Sequence, residues 1–70
     1  MLCLIQLDQE ALVGTADFGD RSYDFSVEAY SYGALRPSVF SVRLLRDGRS
    51  VVNPARARLV EEAVRQAWVD

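Results

Sequence analysis

The chain of 70 residues contains no histidine and no lysine, and it has a single cysteine, Cys3. Histidine is the commonest general base and the commonest metal ligand near neutral pH, so the chain lacks the leading candidate for both roles. Cys3 cannot form a disulfide within the chain, and no histidine is present to activate its thiol. We therefore expect no enzymatic activity and no metal or other cofactor.

Long apolar runs are also missing, whereas a membrane-spanning helix needs about 20 apolar residues. The apolar start, residues 1–7, is much shorter and follows no basic segment of the kind found in secretory signals. A single cysteine is typical of a reducing compartment. We expect a cytoplasmic protein that does not associate with membranes.

The charge balance does not favour binding to nucleic acid, because ten acidic and eight basic residues give a net charge of -2. The two signs are separated along the chain. Residues 1–35 contain six acids and one arginine, whereas residues 36–70 contain four acids and seven arginines. The arginines expected to lack an acidic neighbour are Arg36, Arg46, Arg49 and Arg56. They form at most a weak basic patch.

Three turn signals divide most of the chain into strands. Residues 19–20 (Gly-Asp) suit a two-residue hairpin turn of type II′, and residues 47–48 (Asp-Gly) suit type I′, because both turns need positive φ. A longer loop is expected over residues 33–38, where proline cannot donate to a sheet. The cross-strand pairs predicted from these turns are Ala16 with Tyr23, Gly14 with Phe25, Leu12 with Val27, Val27 with Leu44, Ala29 with Val42, Ser31 with Phe40, and Leu44 with Val51.

The first residues leave two alternatives open. Their apolar positions are odd (Cys3, Ile5, Leu7), whereas the following strand has its inner residues at even positions. One extra residue must therefore intervene. Either one strand covers residues 2–18 with a bulge or break near residues 8–10, or residues 2–7 form a separate strand.

Toward the C-terminus the apolar period changes from two to 3.6, which predicts a helix over about residues 54–68. Asn53 suits the N-cap and Pro54 suits the first helical position. Gly14 and Ala16 are small, so the helix is expected to approach the sheet closely there, with Trp68 filling the space.

These elements predict a single α+β domain over residues 1–70. Its antiparallel meander sheet has four strands, or five if the first segment is separate, and the C-terminal helix packs on one face. The expected strands are about residues 2–18, 21–32, 38–46 and 49–52.

The other face of the sheet is predicted to be uncovered, and such a face is usually polar. Regular alternation places Tyr30 and Tyr32 on this face, beside Val39 and near Arg43, with Glu28 as the cross-strand partner of Arg43. Tyrosine and arginine are enriched at interface hot spots, and exposed apolar groups in one patch mark binding surfaces. Packing between neighbouring strands is the alternative explanation for these side chains.

An acidic rim is expected beside this patch, formed by Asp17, Asp20, Asp24 and Glu28. Alternate residues of a strand lie about 6.8 Å apart, close to the spacing of phosphates along one nucleic-acid strand. Such a rim could imitate nucleic acid toward a basic protein, although solvated acids are common on any strand. The expected partner-binding residues are Tyr30, Tyr32, Val39, Arg43, Asp24 and Glu28.

The expected function is that of a small protein-binding module without catalytic activity. Its partner would be an intracellular protein, such as a nucleic-acid-binding protein or complex. The small size suits a product of a phage or mobile element that inhibits a host defence or transcription machine. The first alternative is a homodimeric structural subunit joined through the same sheet face. The second is a weak nucleic-acid binder that uses the C-terminal arginines.

Overall fold

The computed structural model describes the backbone of residues 2–33 and 36–69, and the side chains of residues 2–31 and 41–69. The elements, in chain order, are β1 (Leu4–Asp8), β2 (Val13–Asp17), β3 (Ser22–Gly33), β4 (Arg36–Arg46), β5 (Arg49–Val51) and α1 (Pro54–Ala67). The strands form one antiparallel sheet in the order β1-β2-β3-β4-β5, and α1 packs on one of its faces. The predicted meander with a C-terminal helix is confirmed.

β1 is a separate strand, so the sheet has five strands. It pairs with β2 so that Ile5 lies opposite Ala16 and Leu7 lies opposite Gly14. Residues 9–12 form the turn between them, and Leu12 has a φ of 59° there. This turn brings odd residues of β1 and even residues of β2 to the same face. The single strand expected over residues 2–18 is wrong, and the alternative of a separate first strand is correct.

Both predicted tight turns are present. Gly19 has a φ of 90°, and across this turn the Phe18 N–H donates to the carbonyl oxygen of Arg21 at 2.9 Å. Asp47 and Gly48 have φ values of 54° and 77°, as a type I′ turn requires. The pairs confirmed around these turns are Ala16 with Tyr23, Gly14 with Phe25, and Leu44 with Val51.

The register between β3 and β4 differs from the prediction by two residues near the helix. Phe25 lies opposite Leu44 and Val27 lies opposite Val42. The strands continue to the pair of Gly33 and Arg36, so their connection is shorter than the predicted loop and is centred one residue earlier. The predicted pairs Val27–Leu44, Ala29–Val42 and Ser31–Phe40 are therefore wrong.

A β-bulge lies at Glu28. The register shifts between Val27 and Ala29, so that Glu28 is an extra residue on β3, and beyond it Tyr30 lies opposite Phe40. One extra residue reverses the faces of all residues that follow until the next irregularity. A second shift occurs between Ser31 and Tyr32.

The core lies between the sheet and α1. Its buried residues are Ala16, Phe18, Tyr23, Phe25, Val27, Leu44, Val60 and Val64. At the start of α1 the Asn53 Oδ1 accepts a hydrogen bond from the Arg56 N–H at 3.2 Å, which confirms the predicted N-cap. At its end Trp68 is the C-cap, and its N–H donates to the Val64 carbonyl oxygen.

The space beside Gly14 is filled by the ring of Phe25 and not by Trp68. A Cβ atom at Gly14 would lie 2.6 Å from the Phe25 Cζ and 2.2 Å from the Gln6 carbonyl oxygen. The absent side chain therefore allows β1 and the Phe25 ring to approach this position.

Candidate protein-binding surface

Tyr30 lies on the helix side of the sheet, contrary to the prediction. Its ring centroid is 5.4 Å from that of Trp68, with the two rings tilted by 45°. The bulge at Glu28 is the cause, because it turns Tyr30 from the outer face to the inner one. The side chain remains 41% exposed, since it lies at the margin of the helix.

The predicted neighbours Tyr32 and Val39 lie outside the residues whose side chains are described. Their backbones belong to β3 and β4, where Val39 pairs with Ser31 and Tyr32 pairs with Pro37. The prediction that their side chains contact a partner therefore stays a prediction.

Arg43 and Glu28 form the predicted ion pair on the outer face. The Arg43 Nε lies 2.9 Å from the Glu28 Oε1, and the two side chains are 57% and 43% exposed. The Ser26 hydroxyl donates to the same carboxylate oxygen at 3.3 Å. The pair forms although Arg43 lies opposite Ser26 in the register, because the bulge brings Glu28 within reach. Because the pair is this exposed, it contributes little to the stability of the fold. For the same reason both charged groups are accessible to a partner.

The predicted acidic rim is divided by hydrogen bonds within the chain. Asp17 accepts from the Gly19 N–H at 2.8 Å, and Asp20 forms an ion pair with Arg56. Glu28 is held by Arg43. The Asp24 side chain forms no hydrogen bond or ion pair within the described part of the chain, so its carboxylate is the most available of the four.

Arg56 connects the start of α1 to the turn between β2 and β3. Its Nη2 lies 2.7 Å from the Asp20 Oδ2, and its Nη1 donates to the Tyr23 hydroxyl at 3.3 Å. Its guanidinium carbon lies 4.8 Å from the centroid of the Phe18 ring, which is a cation–π geometry. Arg56 was expected to be a free charge, and that prediction is wrong because the residue serves the fold.

The ion pair of Asp20 and Arg56 should make the free energy of unfolding depend on pH. The hydrogen bond from Arg56 lowers the pKa of Asp20 below its ordinary value. A lowered pKa in the folded state stabilises the fold above the unfolded-state pKa of about 3.9, and this contribution is lost as the pH falls through the folded value. We expect Asp20→Asn to be less stable than the natural chain at pH 7, and the difference to vanish in strong acid.

Urea unfolding followed by circular dichroism from pH 7 to pH 2 measures this difference. Asp24→Asn is the matched control, because it removes the same charge from a carboxylate without an ion pair among the described residues. Equal pH profiles for the natural chain and Asp20→Asn would contradict the account.

The outer face of the sheet carries three rows of described side chains that α1 does not cover, and the outermost of them is Leu4, Asp17 and Ser22. The second row is Gln6, Thr15, Asp24, Leu45 and Ser50, and the third is Asp8, Val13, Ser26 and Arg43. Val13 is 44% exposed in the middle of the third row. Leu4, at the margin, is 59% exposed. The face is thus polar and acidic around a few exposed apolar groups.

Sequence reasoning missed a polar clamp at the end of the helix. The Gln9 side-chain amide donates to the Val69 carbonyl oxygen at 2.5 Å and accepts from the Val69 N–H at 3.0 Å. These two bonds hold the residue after Trp68 against the turn between β1 and β2. No sequence pattern signals this contact, because it joins residues 60 positions apart.

Cys3 shows the features of a structural thiol. It packs against the hydrophobic core, and burial raises the pKa of its thiol. A raised pKa leaves less of the nucleophilic thiolate at neutral pH. Among residues 2–33 and 36–69, no group of three or more cysteine or acidic residues could hold a metal ion.

The comparisons with known proteins give no relative. Neither the protein-family models, nor the curated proteins, nor the solved structures contain a match to this chain. Within the described ranges, no helix combines the length and the apolar character that crossing a bilayer requires.

Proposed function

We propose that this domain is a protein-binding module without catalytic activity, and that it binds its partner through the outer face of the sheet. The observation that carries this proposal is the uncovered outer face, where Val13 is 44% exposed between Asp8 and Ser26. Exposed apolar side chains surrounded by polar ones are typical of interaction sites.

The charges on this face favour a basic partner. Asp24 is available, and Asp17 is its diagonal neighbour across the pairing of β2 with β3. Diagonal neighbours in a sheet lie about 7–8 Å apart, close to the spacing of phosphates in nucleic acid. A nucleic-acid-binding protein is therefore the partner class that this face fits. As part of the same proposal, the chain is an inhibitor encoded by a phage or mobile element. Its target is a host machine for defence or transcription.

Arg43 is a charged hydrogen-bond donor on this face. Its Nε is held by Glu28, which fixes the direction of the guanidinium and leaves further N–H groups for a partner carboxylate or carbonyl. Tyr30 is not part of the contact, because it lies on the opposite side of the sheet. The binding residues proposed on described side chains are Val13, Asp24, Glu28 and Arg43.

Affinity capture from a lysate of the source organism, followed by mass spectrometry, tests the proposal. The natural chain should retain a partner that Val13→Asp and Asp24→Arg lose. A hot-spot loss of about 2 kcal/mol corresponds to roughly thirtyfold weaker binding. The matched control is Arg58→Glu, which reverses an exposed charge on the helix side.

Circular dichroism should show that the outer-face variants are folded. Capture of the same partner by all four chains would contradict the proposed surface. A sheet-face homodimer would instead show itself as a dimer of the natural chain that Val13→Asp dissociates.

A further inference from the structure

β1 is an edge strand that has a neighbour on one side only. Within residues 2–33 and 36–69, the sheet begins with β1, and β1 pairs with β2 alone. The other side of such a strand presents backbone N–H and C=O groups that can pair with a further strand. The hydrogen bonds around β2 show which residues of β1 carry these groups.

The even residues around β2 direct their backbone groups to β3. The Leu12 carbonyl oxygen accepts from the Val27 N–H at 2.8 Å. At the other end of β2, the Phe18 N–H donates to the Arg21 carbonyl oxygen at 2.9 Å. Because successive residues of a strand direct their backbone groups to opposite sides, the odd residues of β2 direct theirs to β1.

The odd residues of β1 therefore direct their backbone groups to the free edge. The odd residues of β2 lie opposite the even residues of β1, so these even residues are the ones that bond to β2. The Gln6 carbonyl oxygen agrees with this assignment, because it would lie only 2.2 Å from a Cβ atom on Gly14 of β2. Ile5 and Leu7 thus present their N–H and C=O groups at the edge, in line with Cys3 just before the strand.

This free edge lacks the protection that sheet edges usually have. Natural proteins protect an edge with charged side chains, with proline or with a bulge. Residues 2–7 contain no charged residue and no proline, and β1 pairs with β2 without a shift of register. Leu2 and Leu4 are 57% and 59% exposed here. The edge is therefore suited to pairing with another strand.

We infer that the free edge of β1 pairs with the same edge of a second copy of the chain, in antiparallel orientation, so that the two sheets become continuous. Two-fold symmetry allows each copy to use the same residues. The chain has a net charge of -2, but residues 2–7 are uncharged, so two copies meet at this edge without repulsion between close charges.

The edge-directed residues select one register for this pairing. They are all odd, so each must lie opposite an odd residue of the second copy. With Ile5 opposite Ile5 of the second copy, Cys3 lies opposite Leu7 and all three residues find partners. A two-fold axis one residue further along would set Cys3 opposite Gln9, which lies in the turn. In the selected register the two Leu4 side chains are diagonal neighbours, about 7–8 Å apart on the outer face.

Sedimentation velocity with a reducing agent, which prevents disulfides through Cys3, tests this inference on opposite charges at Leu4. The natural chain should dimerise at hundreds of micromolar, because a strand of five residues makes a small interface. Leu4→Lys and Leu4→Glu should each self-associate at least tenfold more weakly, since like charges then meet across the axis. An equimolar mixture of the two variants should recover the dimer. Circular dichroism should show both variants folded, because Leu4 is exposed.

Val13→Asp is the matched control, because it changes an exposed apolar residue of the outer face away from the edge. It should dimerise like the natural chain. Loss of the dimer in Val13→Asp alone would place the contact on the outer face and overturn the inference. A dimer that captures no other protein would support the edge pairing and contradict only the proposed function.

Hydrogen exchange followed by NMR provides a second measurement that needs no variant. Exchange at the Ile5 and Leu7 amides should slow as the protein concentration rises, whereas exchange at Gln6, which bonds to β2, should not change. A monomer at millimolar concentration would refute the edge pairing. A dimer whose Ile5 and Leu7 amides exchange as fast as those of the monomer would refute it as well.

Discussion

Replacement of Phe25 by alanine is expected to destabilise the protein strongly. The side chain is 1% exposed and lies in the centre of the core, where its ring also fills the space beside Gly14. Truncation of a buried phenylalanine costs about 3–5 kcal/mol. A domain of 70 residues has a free energy of unfolding of roughly 3.5–10 kcal/mol, so this loss removes between about a third and all of it.

Urea unfolding followed by tryptophan fluorescence measures this effect, and Leu4→Ala is the matched control. Leu4 is a large apolar residue on the outer face, 59% exposed, and its truncation should change stability by about 0.5 kcal/mol or less. Similar unfolding midpoints for the two variants would show that Phe25 is not a core residue.

Replacement of Gly14 by alanine should destabilise the protein by about 1–3 kcal/mol, as overpacking does in a core. At an ordinary strand position the same change stabilises, because it reduces the freedom of the unfolded chain. At Gly14 the new Cβ would lie 2.2 Å from the Gln6 carbonyl oxygen and 2.6 Å from the Phe25 Cζ. The first neighbour is backbone, so relief requires β1 to move away from β2.

Thr15→Ala is the control for this change, because Thr15 is the exposed neighbour of Gly14 on the same strand. Thermal unfolding should show a clear loss for Gly14→Ala and a small change for Thr15→Ala. The double variant Gly14→Ala/Phe25→Leu should not regain the lost stability. The smaller side chain relieves only the contact with the Phe25 ring, and the contact with the Gln6 carbonyl oxygen remains. A Gly14→Ala variant as stable as the natural chain would contradict the close approach of β1.

The parts of the fold that the sequence predicts correctly are those bounded by short turns. A two-residue turn with positive φ leaves one choice of register, so the turns at residues 19–20 and 47–48 determine the pairs around them. The connection between β3 and β4 has no comparable signal. Its centre is displaced by one residue, and this shifts the pairs Phe25–Leu44 and Val27–Val42 by two.

The predicted binding patch is only partly present for a similar reason. The contact of Arg43 with Glu28 is present although the predicted register is wrong, because the two side chains still lie within reach of each other on the outer face. The side of Tyr30 depends on strict alternation, which the bulge at Glu28 interrupts. Neither Glu28 nor its neighbours is a glycine, so no residue type marks the bulge. The packing of Trp68 against Tyr30 is the tertiary consequence of this irregularity.

The bulge therefore separates two kinds of surface. On the outer face, Val13, Asp24 and Arg43 are exposed, which supports the proposed contact with a partner. On the helix side it brings Tyr30 to Trp68, where the aromatic pair stabilises the end of the helix.

The most direct test of this account is a nuclear Overhauser spectrum of the natural chain that observes the ring protons of Tyr30 and Trp68. The ring centroids are 5.4 Å apart, so cross-peaks between the Tyr30 ring and the Trp68 indole are expected. The Tyr30 ring should show none to the side chains of Ser26 and Arg43 on the outer face. Cross-peaks from Tyr30 to Arg43, with none to Trp68, would show regular alternation through Glu28 and would contradict both the bulge and the proposed surface.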